Sequence, residues 1–273
     1  MARAHWTIDE LPWDRFDASK ITPDLLQVVK AAAMVEYNAG DYVTYLKNVF
    51  HDDPEFCAAA EHWGVEEVQH GEALGRWAEK ADPSFSFQES FAKFRAGYRI
   101  PLDAAKSVRG SRSGELIARC MVETGTSSYY TAIHEATDEP VLKAICQNIA
   151  ADELRHYKLF YDHLKRYLDA EKLNRFQRVR IALSRINEAE DDELSYAYYA
   201  ANGNGEPYDR QTFNRAYMRR AYSFYRPHHV DRGMAMIFKA CGLKPHSVAF
   251  GAASRTAWWL MNRRVKKLEK MAA

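Results

Sequence analysis

This sequence predicts an all-α protein, and three observations lead there. Apolar residues recur at helical spacing almost throughout, no stretch alternates as a half-buried strand does, and 273 residues hold only 13 Gly and 9 Pro. At 47% hydrophobic and 27% charged, the composition is that of a soluble globular chain able to bury a sizeable core. The 38 Lys+Arg nearly cancel 37 Asp+Glu, so no whole-molecule field argues for nucleic acid as a partner. No apolar run reaches the roughly 18 residues a membrane span needs. Met1 to Phe16 is polar and acidic, without the apolar centre of a secretory signal. Cys57, Cys120, Cys146 and Cys241 form no CxxC pair, which excludes zinc-ribbon, rubredoxin and thioredoxin motifs. They read as small buried hydrophobes in a reducing, cytoplasmic setting.

The first helix is expected to start at Thr22-Pro23, where a capping residue precedes a first-turn proline. It should run through Leu25, Val29, Ala32, Ala39, Val43 and Leu46 to about Phe50. Asp53-Pro54 repeats the start signal for a second helix, Glu55 to Ala81, carrying Ala60, Trp63, Leu74 and Trp77. A connection from Asp82 to Gly110 holds a short helix near Phe87 to Tyr98. The third helix spans Ser113 to Ala136, and Asp138-Glu139-Pro140 separates it from a fourth that ends near Leu168. Short breaks between long helices make antiparallel neighbours, which gives a four-helix bundle in two hairpins over residues 1–170, with an N-terminal arm. Residues 171–273 are expected to be a helical extension packed on it, broken at Asn202 to Pro207 and at Gly242 to Pro245. Charge divides with the chain: residues 171–273 carry 19 Lys+Arg against 10 Asp+Glu, and residues 1–170 carry 19 against 27. A solvated basic surface is the plain explanation. Trp258, Trp259 and Leu260 followed by Arg263, Arg264, Lys266 and Lys267 also suit an acidic partner or an anionic membrane surface.

Two Glu-x-x-His motifs carry chemistry, Glu67-Val68-Gln69-His70 and Glu153-Leu154-Arg155-His156. Chance gives such motifs readily, but their placement is ordered. Glu36 lies 31 residues before Glu67, and Glu123 lies 30 before Glu153, so each hairpin offers one Glu from its first helix and Glu-x-x-His from its second. Residues three apart share a helix face, so each Glu/His pair aims at one volume. All six sit on apolar stripes: Glu36 beside Ala32, Ala33 and Val43, Glu67 and His70 between Trp63 and Leu74, Glu123 after Cys120, and Glu153 and His156 between Ile149 and Phe160. Four carboxylates converging on a core must be protonated or hold cations, because desolvating even one costs several kcal/mol. Two divalent ions balance four carboxylates, and mixed carboxylate and imidazole ligation suits iron or manganese better than calcium. Bundles of this kind with di-iron or di-manganese centres are a known arrangement.

These residues resemble the ferritin-like di-iron proteins, and most of all the soluble acyl-carrier-protein desaturases. Glu66-Glu67-Val68-Gln69-His70-Gly71 is similar to the desaturase Glu-Glu-x-x-His-Gly signature, and Ala151-Asp152-Glu153-Leu154-Arg155-His156 to its Asp-Glu-x-Arg-His signature. The likeness covers roughly residues 22–170. It implies a ferritin-like bundle in which Glu36, Glu67, His70, Glu123, Glu153 and His156 ligate two iron ions, with manganese or a mixed pair as variants. Asp152 would then orient the imidazole of His70 from the other hairpin, and Glu66 would do the same for His156. Thr126 falls where desaturases carry a threonine beside the oxygen-binding side of the metals, although a threonine there can equally bond back into its own helix. Gly125-Thr126-Ser127-Ser128 and Ala39-Gly40 leave room beside the metals, which Tyr37, Tyr129, Tyr130 and Tyr157 are placed to line unless they are plain core. The chain is shorter than the plant enzymes it resembles, and its basic end has no match in their pattern.

The activity this implies is a di-iron oxidoreductase that uses O2 to desaturate or hydroxylate a small-molecule or carrier-bound acyl substrate. It would act as a homodimer and draw electrons from a ferredoxin or a reductase, because the chain carries no redox motif of its own. The alternatives are a rubrerythrin- or ferritin-like protein handling iron and peroxide, and a helical adaptor whose basic end binds a partner or membrane. Assembly size and metal content separate the three.

Overall fold

The protein is described by a computed structural model covering residues 6–189 and 192–272. Among the described residues there are eleven α-helices, three short 3-10 turns and no strand. Helix α1 spans Pro23–Tyr37, α2 Ala39–Val49, α3 Pro54–Ala81, α4 Phe87–Gly97, α5 Arg112–Ala136 and α6 Pro140–Glu171. Then follow α7 (Arg175–Ala189), α8 (Glu193–Asn202), α9 (Arg210–Ser223), α10 (Pro227–Ala240) and α11 (Val248–Ala272). No described helix is long and apolar enough to cross a membrane.

Side-chain caps set the long helices in register. Thr22 accepts from Leu25 N at 3.3 Å, Asp53 from Phe56 N at 3.0 Å, Ser111 from Gly114 N at 3.0 Å and Glu139 from Leu142 N at 2.7 Å. Each satisfies a first-turn N–H that has no partner within its helix. Glu171 at the end of α6 accepts from Arg112 N and Ser113 N, so the last turn of one helix caps the first of its neighbour.

The expected single helix from Thr22 to Phe50 is two helices. Asn38 breaks it, its N–H reaching back to Val35 O at 3.2 Å rather than one residue further. α3 crosses the chain just before this break, so closely that a Cβ on Gly71 would lie 2.6 Å from Tyr37 N. Glycine alone permits that approach. The fourth helix also runs three residues past Leu168, to Glu171.

α5 packs along α6, α1 along α3, and α3 closes against α6. Their apolar faces form two clusters rather than one. The first gathers Val28, Leu74, Trp77, Ile133, Leu142 and Ile149; the second gathers Leu46, Phe56, Leu116, Cys120, Phe160 and Leu164. Helices α3, α5 and α6 each pass from one cluster to the other, while α1 lies in the first and α2 in the second. Between the clusters lies a buried polar layer drawn from α1, α3, α5 and α6. The C-terminal helices share these clusters: Tyr198, Phe213, Tyr217 and Met218 belong to the first, Ala182, Ala240 and Cys241 to the second. Trp259 and Leu260 on α11 remain about half exposed, with the Arg263 guanidinium 5.2 Å from the Trp259 ring centre.

Candidate metal centre

The polar layer brings together all six residues picked out by their spacing. Glu36 comes from α1, Glu67 and His70 from α3, Glu123 from α5, and Glu153 and His156 from α6, every one buried. They form two overlapping groups whose ligand atoms lie within 4.8 Å of one another: Glu36, Glu67, His70 and Glu153, and Glu67, Glu123, Glu153 and His156. Glu67 and Glu153 are common to both. Glu67 Oε2 is 3.4 Å from His70 Nδ1 and its Oε1 is 3.0 Å from His156 Nδ1. Glu153 faces both rings in the same way, Oε1 at 3.4 Å from His70 Nδ1 and Oε2 at 3.8 Å from His156 Nδ1. Glu36 and Glu123 lie to the outside, 3.8 and 3.7 Å from His70 Nδ1 and His156 Nδ1.

The imidazoles are turned by a second ring of carboxylates. His70 Nε2 meets Asp152 Oδ2 at 3.0 Å, and His156 Nε2 meets Glu66 Oε2 at 2.6 Å, each across to the other hairpin. Such partners place the ring proton on Nε2 and leave the Nδ1 lone pair facing inward. Arg155 joins the two acids, with Nη1 2.6 Å from Asp152 Oδ1 and Nη2 3.3 Å from Glu66 Oε1. Trp6 Nε1 donates to Asp152 Oδ2 at 2.7 Å and its ring stacks over His70, centroids 6.1 Å apart. Tyr130 Oη donates to Glu36 Oε1 at 2.5 Å. Reading the sequence assigned no role to Trp6 or Arg155 and gave Tyr130 only a lining position. Arg155 sits inside the quoted motif, but Trp6 lies in an arm with no periodic signal.

Burial pushes the Glu36 and Glu123 carboxyls well above the usual carboxylate range, and neighbouring acids add to it. Glu67 is held well below that range: burial opposes this, and the Glu36 carboxyl and the charge of His156 outweigh it. Glu153 also lies low; burial and Glu67 oppose this, and the two imidazoles prevail. Both imidazoles stand well above their ordinary value: burial acts against it, but Asp152 and Glu153 overcome it at His70, and Glu67 and Glu153 at His156. Protons can thus balance the charge of the six. They do not complete its bonding. His70 Nδ1, His156 Nδ1, Glu153 Oε1 and both oxygens of Glu123 are buried with no hydrogen-bond partner among the described residues. Each such atom costs about 1–3 kcal/mol unless something binds it. Four carboxylates and two imidazole lone pairs converging on one dry volume form a donor set that fits two divalent cations.

Thr126 lies at the edge of this layer. Its hydroxyl is 2.6 Å from Glu153 Oε2 and 3.2 Å from Val122 O, so the inward contact and the helix-internal one are both within its reach. A space of about 50 Å³ touches Glu36, Glu67, Glu123, Glu153 and Thr126. It adjoins a cavity of about 240 Å³, bordered by Glu36, Gly125 and Thr126 and walled by Met121, Tyr129, Tyr130, Tyr217 and Tyr225 among others. Two expected lining residues are elsewhere. Tyr37 packs edge-on against Phe87 and Phe91, and Tyr157 stacks on Tyr161 and donates to Met236 O at 2.7 Å. Of Ala39-Gly40, Ala39 lines the small space beside the ligands, whereas Gly40 is exposed, with no atom within 4 Å of where its Cβ would be.

A third acid and histidine group, Glu135, His228 and His229, sits away from the core. His229 Nδ1 accepts from Arg226 N at 3.0 Å and its Nε2 faces Glu135 at 3.0 Å, which occupies both ring nitrogens and leaves none for a metal. Compared with known proteins, the chain matches no family model and no curated protein.

Proposed function

We propose that α1 to α3 and α5 to α6 form a ferritin-like four-helix bundle holding two iron ions, and that the protein is an O2-dependent oxidoreductase of acyl-carrier-protein desaturase type. The observation that carries this reading is the set of five buried ligand atoms without partners, arranged around two carboxylates that each face both imidazoles. Glu67 and Glu153, common to both groups, would serve both ions, with Glu36 and His70 completing one site and Glu123 and His156 the other. Bound there, two ferrous ions supply the oxygen activation needed to attack an unactivated C–H bond.

The chain's own residues do the rest. Asp152 and Glu66 each hold an Nε2 proton, so that Nδ1 stays a ligand. Tyr130 ties down Glu36 Oε1 and leaves Oε2 toward the centre. The cavity beside Glu36 and Thr126 is lined mainly by apolar side chains and offers a carbon chain an apolar wall. Thr126 can turn its hydroxyl from Glu153 toward that cavity and hold a proton at its mouth. Converting a saturated carbon pair to an alkene while O2 becomes two waters consumes two external electrons and two protons, so a ferredoxin or flavin reductase is the implied partner. A manganese or mixed pair would occupy the same ligands.

The test is anaerobic loading with ferrous ion, metal analysis and oxygen exposure. The expected result is about two irons per chain, with O2 consumption coupled to loss of two hydrogens, or gain of an oxygen, in an acyl substrate. Fewer than one iron per chain, or O2 consumption with no oxidised product across acids and thioesters, would overturn the reading.

A further inference from the structure

Helix α11 runs 25 residues along the surface and has two unlike faces. The inner one is tied down. Ser254 is buried and donates to Asp231 on α10, and the Phe250 ring meets Phe238 edge-on with centroids 5.5 Å apart. Val265 is buried as well, and Leu268 packs on the first apolar cluster. These positions recur at helical spacing, so the opposite side of the same cylinder faces solvent. Arg255, Trp259, Arg263, Lys267 and Lys270, each three or four residues from the last, are exposed there, and so is Lys266. α11 carries six Arg and Lys against one acid, Glu269, and Lys266, Lys267 and Lys270 form no ion pair among the described residues. The helix also holds Val248, Trp259, Leu260 and Met271, four of the nine large apolar side chains exposed among the described residues, so charge and exposed apolar surface coincide.

That mixture selects a partner. A solvated basic face accounts for the lysines but not for Trp259 and Leu260 beside them. Pairing with a second copy through this face would set its cations against the same cations. A folded acidic protein would need a rigid groove to receive a convex helix about 37 Å long. An anionic lipid surface meets both demands. Its mobile phosphates settle against each cation, while Trp and Leu sink to the boundary between headgroups and acyl chains. Lysine stems lie along that boundary and leave their ammonium groups among the headgroups. The Arg263 guanidinium, 5.2 Å from the Trp259 ring centre, keeps charge and indole together at the same level. We propose that the outer face of α11 seats the protein on anionic phospholipid, with Trp259 and Leu260 at the acyl boundary and Arg255, Arg263, Lys266, Lys267 and Lys270 on lipid phosphates. The contact is peripheral, since no described helix is long and apolar enough to cross a membrane. It needs no metal and stands apart from the oxidoreductase reading.

Co-sedimentation of the full chain with vesicles tests this, using phosphatidylcholine alone and phosphatidylcholine mixed equally with phosphatidylglycerol. The protein should bind the anionic vesicles about tenfold or more tightly, an advantage that fades as added salt shortens the reach of the charges. Lys266→Glu combined with Lys267→Glu should remove that advantage. Lys158→Glu combined with Lys165→Glu, at exposed positions on α6, makes the same change in net charge and should keep it. Brominated acyl chains should quench tryptophan emission of the bound protein, and Trp259→Phe should abolish the larger part of that quenching. Circular dichroism checks that each variant keeps its helices. Equal binding to both kinds of vesicle, equal losses in the two charge-reversal pairs, or no quenching by brominated lipid overturns the inference. Binding to polyglutamate as tight as to anionic vesicles also overturns it, and assigns the face to an acidic protein instead. Iron content enters none of these readouts, so this inference and the oxidoreductase reading fail separately.

Discussion

The hairpin of α1, α2 and α3 and the hairpin of α5 and α6 present the same residue types to the centre, but only the second does so on unbroken helices. One matched position differs beside the break. Where α3 carries Gly71 against the backbone of Tyr37, the 86-residue offset that relates His70 to His156 places Tyr157 on α6. Tyr157 turns outward to α10 instead, and α5 continues straight past Glu123. The surroundings of the two outer acids diverge in step: Glu36 receives a hydrogen bond from Tyr130, whereas both oxygens of Glu123 have no partner among the described residues. Thr126, one turn beyond Glu123, corresponds to Ala39, just past the Asn38 break. A repeat in sequence thus yields a centre that is symmetric in its inner shell and asymmetric at its border. The asymmetric side is the one facing the cavities.

The largest expected effect concerns shared against unshared acids. Glu67→Ala should lose both metals and Glu36→Ala only one, by metal analysis after ferrous loading; two retained metals in both variants would dissolve the distinction. Next comes the close approach. Gly71→Ala forces a methyl group into the Tyr37 backbone and should cost about 3 kcal/mol in chemical denaturation. Gly40→Ala, with open space around it, should instead gain about 0.5–1 kcal/mol as a better helix former. The outer carboxylates follow. Asp152→Asn and Glu66→Gln should each weaken metal binding about 10–100-fold in competition with a chelator.

The smallest effect contrasts the hairpin ends. Lys30 Nζ pairs with Asp82 at 2.6 Å, where the matching offsets place Ile117 and Leu168 in the second hairpin. The hydrogen bond from Lys30, then that from Ser84, pulls the Asp82 carboxyl down to about 2. A depressed carboxyl stabilises above its unfolded value of about 3.9 and loses that contribution as pH falls toward 2. Asp82→Asn should therefore flatten the acid limb of the stability curve by about 1 kcal/mol between about pH 4 and pH 2, followed by thermal melts. An unchanged acid limb would remove the pair from the account.

What could be read from the chain in advance was whatever interrupts a local pattern. Thr22-Pro23, Asp53-Pro54 and Glu139-Pro140 mark helix starts that recur in the structure, and the six Glu and His residues stand out because they interrupt apolar stripes. Residues whose placement depends on a distant neighbour were not legible. Trp6 reaches Asp152 over 146 residues, and the close approach of Gly71 to Tyr37 exists only because α3 crosses α1. Helical spacing leaves Tyr37 and Tyr157 either lining the cavity or in plain core. Tertiary contacts with Phe87 and Met236 decide for the core.

A wet-chemistry layer held between two greasy ones also fixes how the helices can slide. Moving α3 or α6 by one turn, about 5.4 Å, would drive Glu67 or Glu153 into Leu, Trp and Phe side chains and strand Trp63 or Ile149 among the acids. No sliding alternative keeps both oily clusters closed. The same carboxylates that gather at the centre therefore act as a ratchet pawl, allowing the four long helices a single alignment before any ion arrives.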